Sequence, residues 1–331
     1  MTNQYRAGVS SSVQYAYEDS GVWGESADSM TASNETFVAF GQGVETTVSR
    51  SNNKVRNYGV GQRNAQSTSA LRYSGTLTVN GAVNNFYWLL GALGSNTDGG
   101  ASPNYTHTYS EADSLPSFSC KRPIKFETEK YELFQGCISN NLTLTAAVEE
   151  VLRFSLECPF RYSDIQTGST TVATDDSEVY TFAGGTIEVP DGTTIAAIQN
   201  FELTINNNAE MVPEVGSRFA AGYTAKQRNY DISMTVAISD FSLLSKFYDG
   251  STGTAPGTGS GEIATMTLTF ENGDGHSAVF TFAGLHLNED SLNTNPNETI
   301  KEDVTGWCNS LTSVVYTNGT EIAPKEATNV A

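Results

Sequence analysis

Residues 72–79 read Arg-Tyr-Ser-Gly-Thr-Leu-Thr-Val. Apolar or β-branched residues alternate here with small polar ones, which is the two-residue period of a half-buried strand. A helical pattern follows, because apolar residues then recur at intervals of three and four. These apolar residues are Phe86, Leu89, Leu90 and Leu93. A strand followed by a short helix that ends at Gly91 or Gly94 is therefore the predicted unit of the fold.

The same unit occurs again in the second half of the chain. Residues 229–236 read Asn-Tyr-Asp-Ile-Ser-Met-Thr-Val, so Tyr230 aligns with Tyr73, and a second helical pattern begins at Phe241. Further matches follow in order, residues 134–138 with 282–286 and residues 152–153 with 300–301. This order predicts an internal duplication. Residues 181–184 also repeat residues 281–284 at a different place, so short matches of this kind recur by chance as well.

The composition indicates an all-β protein. The chain has 331 residues, of which 30 are glycine and only 17% are charged, and it is rich in Ser, Thr and Asn. Such a mixture is typical of strands joined by many turns. We predict an all-β fold with one short helix per domain, arranged as tandem β-sandwich or half-barrel domains. The predicted divisions are an N-terminal arm (1–30), a first β domain (31–163), a linker (164–177), a second β domain (178–318) and a C-terminal tail (319–331).

The strand pattern can be followed through most of the first half. Further strands are predicted at residues 105–109, 117–121, 131–139, 142–146 and 151–158. Pro159 is expected to end the last of them. Two polar stretches, residues 50–72 and 206–226, are predicted to be long loops.

The net charge of −19 excludes some classes of function. High-affinity nucleic-acid binding depends on Lys and Arg contacts to phosphates, so an acidic chain disfavours it. The longest nearly apolar stretch, residues 86–94, is too short for a membrane helix. The first 30 residues contain no apolar segment of the kind found in secretory signals, so we expect folding in a reducing cytoplasm.

Motifs for catalysis or for binding a metal or cofactor are not found. His107, His276 and His286 lack the spacing of zinc ligands. The glycine-rich residues 253–261 are predicted to form a flexible loop rather than a phosphate site, and Asn272-Gly273 predicts a type I′ hairpin turn rather than a calcium loop. Four adjacent acidic pairs are interpreted as solvated turn positions. We therefore predict no catalytic, cofactor-binding or metal-binding residues and no enzymatic activity.

Cysteine is sparse, and its spacing does not suggest a disulfide framework or a zinc site. The four cysteines are Cys120, Cys137, Cys158 and Cys308. We expect them to be small buried hydrophobic residues.

One cluster of charge stands out. Residues 50–72 contain five basic residues and no acidic one, in a strongly acidic chain. These are Arg50, Lys54, Arg56, Arg63 and Arg72. The segment could be a mobile solvated loop, an arm that docks on an acidic surface of a neighbouring copy, or a DNA contact. A second predicted loop region contains Arg218, Lys226 and Arg228 together with Glu210 and Glu214.

The order of these features resembles the tail tube proteins of long-tailed, siphovirus-type bacterial and archaeal viruses. The resemblance rests first on residues 17–24 (Tyr-Glu-Asp-Ser-Gly-Val-Trp-Gly) and on the strand and helix at residues 73–79 and 86–94. It continues through residues 104–109, 115–119, 134–137 and 142–145. It is good over residues 10–163 and looser beyond.

The resemblance implies a structural virion protein. In this family, six β domains form a ring, their inner strands join into a continuous β-barrel, and the rings stack into a tube. DNA passes through the acidic lumen without specific binding, and the other partners are the tape measure, terminator and tail-tip proteins. The position of residues 50–72 corresponds to an arm that reaches the next subunit or ring. Such a protein is made and assembled in the host cytoplasm and ends in the virion tail.

The number of chains expected in a ring depends on the role of the second predicted domain. Three chains would supply six domains and give a homotrimer with pseudo-sixfold symmetry. In the alternative homohexamer, only residues 31–163 form the ring and residues 176–318 decorate the outside. The acidity also suits a high-salt host, which suggests a haloarchaeal virus. The alternative function is a virion-surface or extracellular β-sandwich that acts as a binding or decoration module.

Overall fold

The computed structural model describes most of the chain. The described residues are 13–18, 23, 37–58, 61, 63–101, 104–125, 129–167, 177–189, 195, 198–238, 241–249, 253–257, 261–294 and 299–319. Most of the predicted N-terminal arm and C-terminal tail, and residues 168–176 of the predicted linker, lie outside them.

Strands dominate the first half of the chain and surround one short helix. The elements are β1 (Gln14–Tyr17), β2 (Val38–Ala39), β3 (Gln42–Tyr58), β4 (Ala65–Ala82), α1 (Leu89–Leu93), β5 (Gly94–Ala101), β6 (Asn104–Glu111), β7 (Phe118–Lys125), β8 (Glu129–Cys137), β9 (Asn141–Ala147), β10 (Arg153–Phe160) and β11 (Tyr162–Thr167). The predicted helix after residues 72–79 is confirmed.

The second half has the same character. After a 3₁₀ turn at Phe182–Gly184 come β12 (Gly185–Glu188), β13 (Ile198–Asn206), β14 (Glu210–Pro213), β15 (Ala220–Thr224), β16 (Asn229–Ala237), α2 (Ser242–Asp249), β17 (Glu262–Glu271), β18 (Ser277–Asn293) and β19 (Lys301–Asn318). The second predicted helix is likewise present, and the protein is nearly all β, as predicted.

One wide antiparallel sheet joins the two halves. Its strand order is β12-β17-β18-β19-β16-β13-β9-β10-β4-β3, and β6 adds to β19 with β5 beside it. The halves meet where β13 pairs with β9 on one side and β16 on the other. The predicted domain boundary therefore does not interrupt the hydrogen-bonded ladder.

A smaller sheet packs on the first half of the wide sheet. Its order is β11-β8-β7-β1-β2. Phe134 of this sheet contacts Phe160 of the wide sheet at 5.0 Å between ring centroids, and both rings are buried. In the second half the wide sheet folds over itself, because β18 and β19 shift register at two places, between Thr281 and Phe282 and between Leu287 and Glu289. Such bulges bend strands, and Phe282 thereby reaches Tyr230 of β16 at 5.8 Å.

The strand pairings repeat along the chain. Phe134 lies opposite Ser163, and Phe282 lies opposite Leu311. Leu142 lies opposite Leu156, and Asp290 lies opposite Val304. In each case both partners of the second pair lie 148 positions after those of the first, so β18 and β19 have the pairing of β8 with β11 and of β9 with β10.

Five local predictions were wrong. Residues 50–72 are not a loop but parts of β3 and β4, and the second predicted loop contains the β14–β15 hairpin. Pro159 lies inside β10 opposite Thr76. The turn after β17 has its positive φ, 80°, at Gly275 rather than at Asn272 and Gly273, so it is not type I′. The acidic pairs Glu289-Asp290 and Glu302-Asp303 lie in β18 and β19 rather than at turns, and Glu302 is buried.

Candidate assembly surface

A two-stranded ribbon projects from the wide sheet. The third strand of that sheet, β10, pairs with β4 only up to Gly75. Beyond it, residues 51–58 of β3 pair with residues 65–74 of β4, and neither segment pairs with another strand within the described residues. Eight residues at 3.3 Å each extend the ribbon by about 26 Å. An isolated two-stranded ribbon is marginally stable in water, so this one gains from a partner.

The ribbon has two different faces. Lys54 and Arg56 lie on one face, opposite the small residues Ala70 and Thr68. Val55 lies on the other face, as does Leu71, and their side chains are 44% and 53% exposed. Exposed apolar groups beside charged ones are typical of a binding surface. No ion pair joins Lys54, Arg56 or Arg63 to another residue in the part of the chain that the structure describes.

Arg50, in contrast, binds a buried carboxylate at the base of the ribbon, although its own side chain is 36% exposed. Arg50 and Arg122 both bind the Glu132 carboxylate, which is only 6% exposed. Both guanidinium groups also lie 5.7 Å from the Phe134 ring. Burial, and then the nearby charge of Arg50, lower the pKa of Arg122. This partly buried cluster ties β3 to the smaller sheet.

The β14–β15 hairpin braces the same base. The Arg218 guanidinium donates to Asn52 Oδ1 at 2.6 Å, and the Tyr73 amide donates to the Arg218 carbonyl at 2.9 Å. Arg72 donates to the Met211 carbonyl at 3.5 Å. Of the predicted arm residues, Lys54, Arg56 and Arg63 therefore lie on the projecting part, whereas Arg50 and Arg72 lie at its base.

The other two basic residues of the predicted second loop make contacts inside the chain. Lys226 forms an exposed ion pair with Glu210 at 2.5 Å, and this hydrogen bond lowers the pKa of Glu210. Arg228 donates to Asn207 Oδ1 at 2.7 Å and to the carbonyls of Leu93 and Ala112, each at 3.2 Å. Arg228 thus satisfies the carbonyl of Leu93, the last residue of α1, and that of Ala112 just after β6.

The wide sheet has one polar face. Eight neighbouring strands, β3, β4, β10, β9, β13, β16, β19 and β18, alternate buried apolar residues with Thr, Asn and Ser. The charged residues of the polar face are Glu45, Arg153, Glu157, Glu202, Asp231, Glu289, Lys301 and Asp303. Six carboxylates thus face two basic groups. Trp307 also lies here, 42% exposed and stacked on His286 at 5.4 Å.

These eight strands end in two free edges. At one end β3 pairs only with β4, and at the other, residues 287–293 of β18 pair only with β19, within the described strands. Because the eight strands are antiparallel throughout, the two edges run in opposite directions. The edges therefore match each other for further antiparallel pairing between copies.

Among the described residues, the features expected of an enzyme do not come together. No group of three metal-ligating side chains occurs among the described residues. No described helix has the length and apolar character needed to cross a membrane. All four cysteines are buried, as predicted. The ribbon, the polar face and the open edges instead define the class of protein: an all-β structural protein.

The comparison with protein families names this class. The family described as "Phage tail tube protein" matches residues 8–314, nearly the whole chain. The chain belongs to this family and is a structural component of the phage tail. A search of curated proteins found no match. The family does not support the haloarchaeal origin suggested by the acidity.

The sequence did not reveal two parts of this surface. The exposed apolar pair of the ribbon, Val55 and Leu71, was hidden in a polar segment. The free edge of β18 was also not foreseen, since edges depend on which strands become neighbours. The run of five basic residues with no acidic one in residues 50–72 was the signal that located the ribbon.

Proposed function

We propose that the chain is the major subunit of the tail tube and that copies join edge to edge into rings, which stack around a DNA-conducting channel. The observation that carries this proposal is the eight-stranded sheet with oppositely directed free edges and one polar face. Pairing of β3 in one copy with residues 287–293 in the next would be a head-to-tail contact, which generates closed rings. The polar face would line the lumen.

The strand count favours three copies per ring. Three sheets of eight strands give 24 strands. With strands about 4.8 Å apart and tilted by about 40°, such a barrel is roughly 45–50 Å across between backbones. That is wide enough for a DNA duplex and its side-chain lining. Six copies would double the width, so we favour the homotrimer with pseudo-sixfold symmetry over the homohexamer.

The tandem arrangement supports the same ring. Four of the eight strands come from residues 31–163 and four from residues 178–318, and the pairings repeat with a spacing of 148 positions. We propose these ranges as the two tube domains, both of which line the lumen.

The charge of the polar face suits passage of DNA. Six carboxylates against two basic groups give this face a negative charge, which repels phosphates and weakens adhesion of the duplex. We propose that DNA passes without specific binding. The tape measure, terminator and tail-tip proteins are the further partners that we propose, with assembly in the host cytoplasm.

The ribbon is proposed to dock on a neighbouring copy. Its basic face and its exposed Val55 and Leu71 support a contact that combines charge with apolar burial. A merely solvated loop does not explain a paired ribbon that presents apolar groups, and an acidic chain makes a DNA contact less favourable.

Charge reversal on the ribbon tests this function. Lys54→Glu with Arg56→Glu should abolish tube growth, measured by sedimentation and negative-stain microscopy, without changing the unfolding temperature. Lys130→Glu with Lys226→Glu, which changes the net charge equally at exposed sites elsewhere, should polymerise normally. Native mass measurement should give rings of three chains. Dispersed monomers of the unaltered protein at all concentrations and salts would contradict the proposal and favour a decoration module.

A further inference from the structure

The ribbon and the β9–β10 turn lie at opposite ends of the wide sheet. The ribbon begins beyond the end of β10 where Phe160 pairs with Gly75. The turn lies beyond the other end of β10, where Arg153 pairs with Ala82 and with Thr145. In a tube of rings stacked head to tail, opposite ends of one subunit meet, so the ribbon of one copy faces the turn of the next.

The turn presents a compact acidic and apolar surface. Val148, Glu149 and Glu150 are consecutive and all exposed, and Val148 is 47% exposed. No ion pair joins either carboxylate to another side chain within the described ranges. The surface therefore has two free negative charges beside one apolar group.

Backbone hydrogen bonds hold the turn in place. The Val148 amide donates to the Gln199 carbonyl at 3.0 Å, and the Glu150 amide donates to the Ala147 carbonyl at 3.1 Å. The Glu150 carbonyl accepts from the Phe182 amide at 3.2 Å. A turn anchored on three segments loses little conformational entropy when it binds a partner.

The two surfaces are complementary in charge and polarity. The ribbon offers Lys54 and Arg56 with two exposed apolar residues, and the turn offers two carboxylates with Val148. We infer that residues 51–58 and 65–71 of one copy bind the Val148–Glu150 turn of a second copy in the adjacent ring. This inference rests on the proposed function and adds the acceptor surface to it.

Another acidic group near that end is less suitable. Asp274 already accepts the Glu178 amide at 2.7 Å, and the Asn272 side chain donates to the Glu178 carbonyl at 3.0 Å. Glu45 lies on the polar face of the sheet. The Val148–Glu150 turn alone among these combines free carboxylates with an exposed apolar side chain.

A charge exchange tests the inference. Glu149→Lys with Glu150→Lys should raise the critical concentration for tube growth at least about tenfold, because attraction becomes repulsion at every copy of the contact. The chain that carries these two changes together with Lys54→Glu and Arg56→Glu should recover growth. Asp113→Lys with Glu214→Lys, at exposed sites elsewhere, is the matched control and should grow normally. Circular dichroism and the unfolding temperature verify that each variant is folded.

The outcomes separate the two proposals. If ribbon reversal blocks growth, but turn reversal has no effect or the combined variant is not rescued, the acceptor lies elsewhere and the inference is overturned while the ribbon keeps its role. If ribbon reversal has no effect, docking by the ribbon itself is wrong. If the unaltered protein forms no rings or tubes, the proposed function fails and the inference fails with it.

Discussion

Gly136 and Gly284 share the same left-handed backbone, with φ values of 63° and 64°, although 148 positions separate them. Each follows the aromatic residue that begins the matched segments, Phe134 and Phe282, by two positions. Gly136 lies one residue before the end of β8, and Gly284 lies in β18 between its two register shifts. Residues other than glycine rarely adopt this backbone conformation. Two glycines at equivalent positions are therefore strong evidence that the halves repeat one local structure.

Replacing Gly284 should therefore destabilise the fold. An alanine there must adopt φ 64°, which costs about 1–2 kcal/mol. Its Cβ would also collide with the Asn309 side chain. We expect Gly284→Ala to lower the free energy of unfolding by at least this amount in urea titration. Gly222→Ala is the control, because no atom lies within 4 Å of the added Cβ and φ is not positive. Equal stability of the two variants would refute the argument.

The sequence predicted the elements whose two faces differ. Strands such as β4 around Leu77 and Val79 have one buried and one wet face, so the two-residue period is visible. The two helices were visible for the same reason, at a period of 3.6. The repeat was visible because it preserves these patterns.

Segments with two similar faces could not be predicted. Residues 51–58 are exposed on both sides and carry no amphipathic signal, so a paired ribbon resembled a loop. The prediction for Pro159 was wrong because proline lacks a backbone N–H. Whether it ends a strand depends on whether that N–H would have donated a hydrogen bond to the neighbouring strand. The role of Arg50 depends on Glu132, 82 positions away, and no local pattern contains that pairing.

The Glu132 cluster gives a second stability test. Glu132→Gln removes the buried negative charge between two partly exposed guanidinium groups and leaves Arg50 and Arg122 beside each other without it. Breaking such a pair is costly, and we expect a loss of about 2–3 kcal/mol in the free energy of unfolding. Chemical denaturation measures it.

The exposed pair of Lys226 and Glu210 provides the matched comparison. Glu210→Gln removes the same charge from an ion pair in solvent, where such pairs contribute little. The denaturation midpoint should not move. A shift as large as that of Glu132→Gln would show that burial of the cluster is not what makes Glu132 important.

The thiols should be inert in the folded protein. Burial raises the pKa of Cys308 to about 12 and also raises the pKa of Cys120 and Cys158. At pH 8 a thiol-specific disulfide reagent should label none of the four before unfolding and all four in denaturant. Leu71→Cys, at an exposed ribbon position, is the positive control. The raised Cys308 pKa also means that its contribution to stability is present below pH 9 and is lost as the pH rises through about 12.

The apolar side of the ribbon can be tested apart from its charge. Val55→Ser with Leu71→Ser leaves every charge in place and removes two side chains that are about half exposed in the free subunit. Burial of such groups in a contact contributes about 1 kcal/mol each, so tube growth should need a higher protein concentration while the unfolding temperature stays the same. Because salt screens charges but not apolar contacts, this defect should persist at 0.5 M salt (roughly a 4 Å screening length), whereas the effect of Lys54→Glu with Arg56→Glu should shrink. Val212→Ser with Val215→Ser alters two exposed valines at the β14–β15 hairpin and should leave growth unchanged. Normal growth of the ribbon variant at both salt concentrations would mean that charge alone carries the contact.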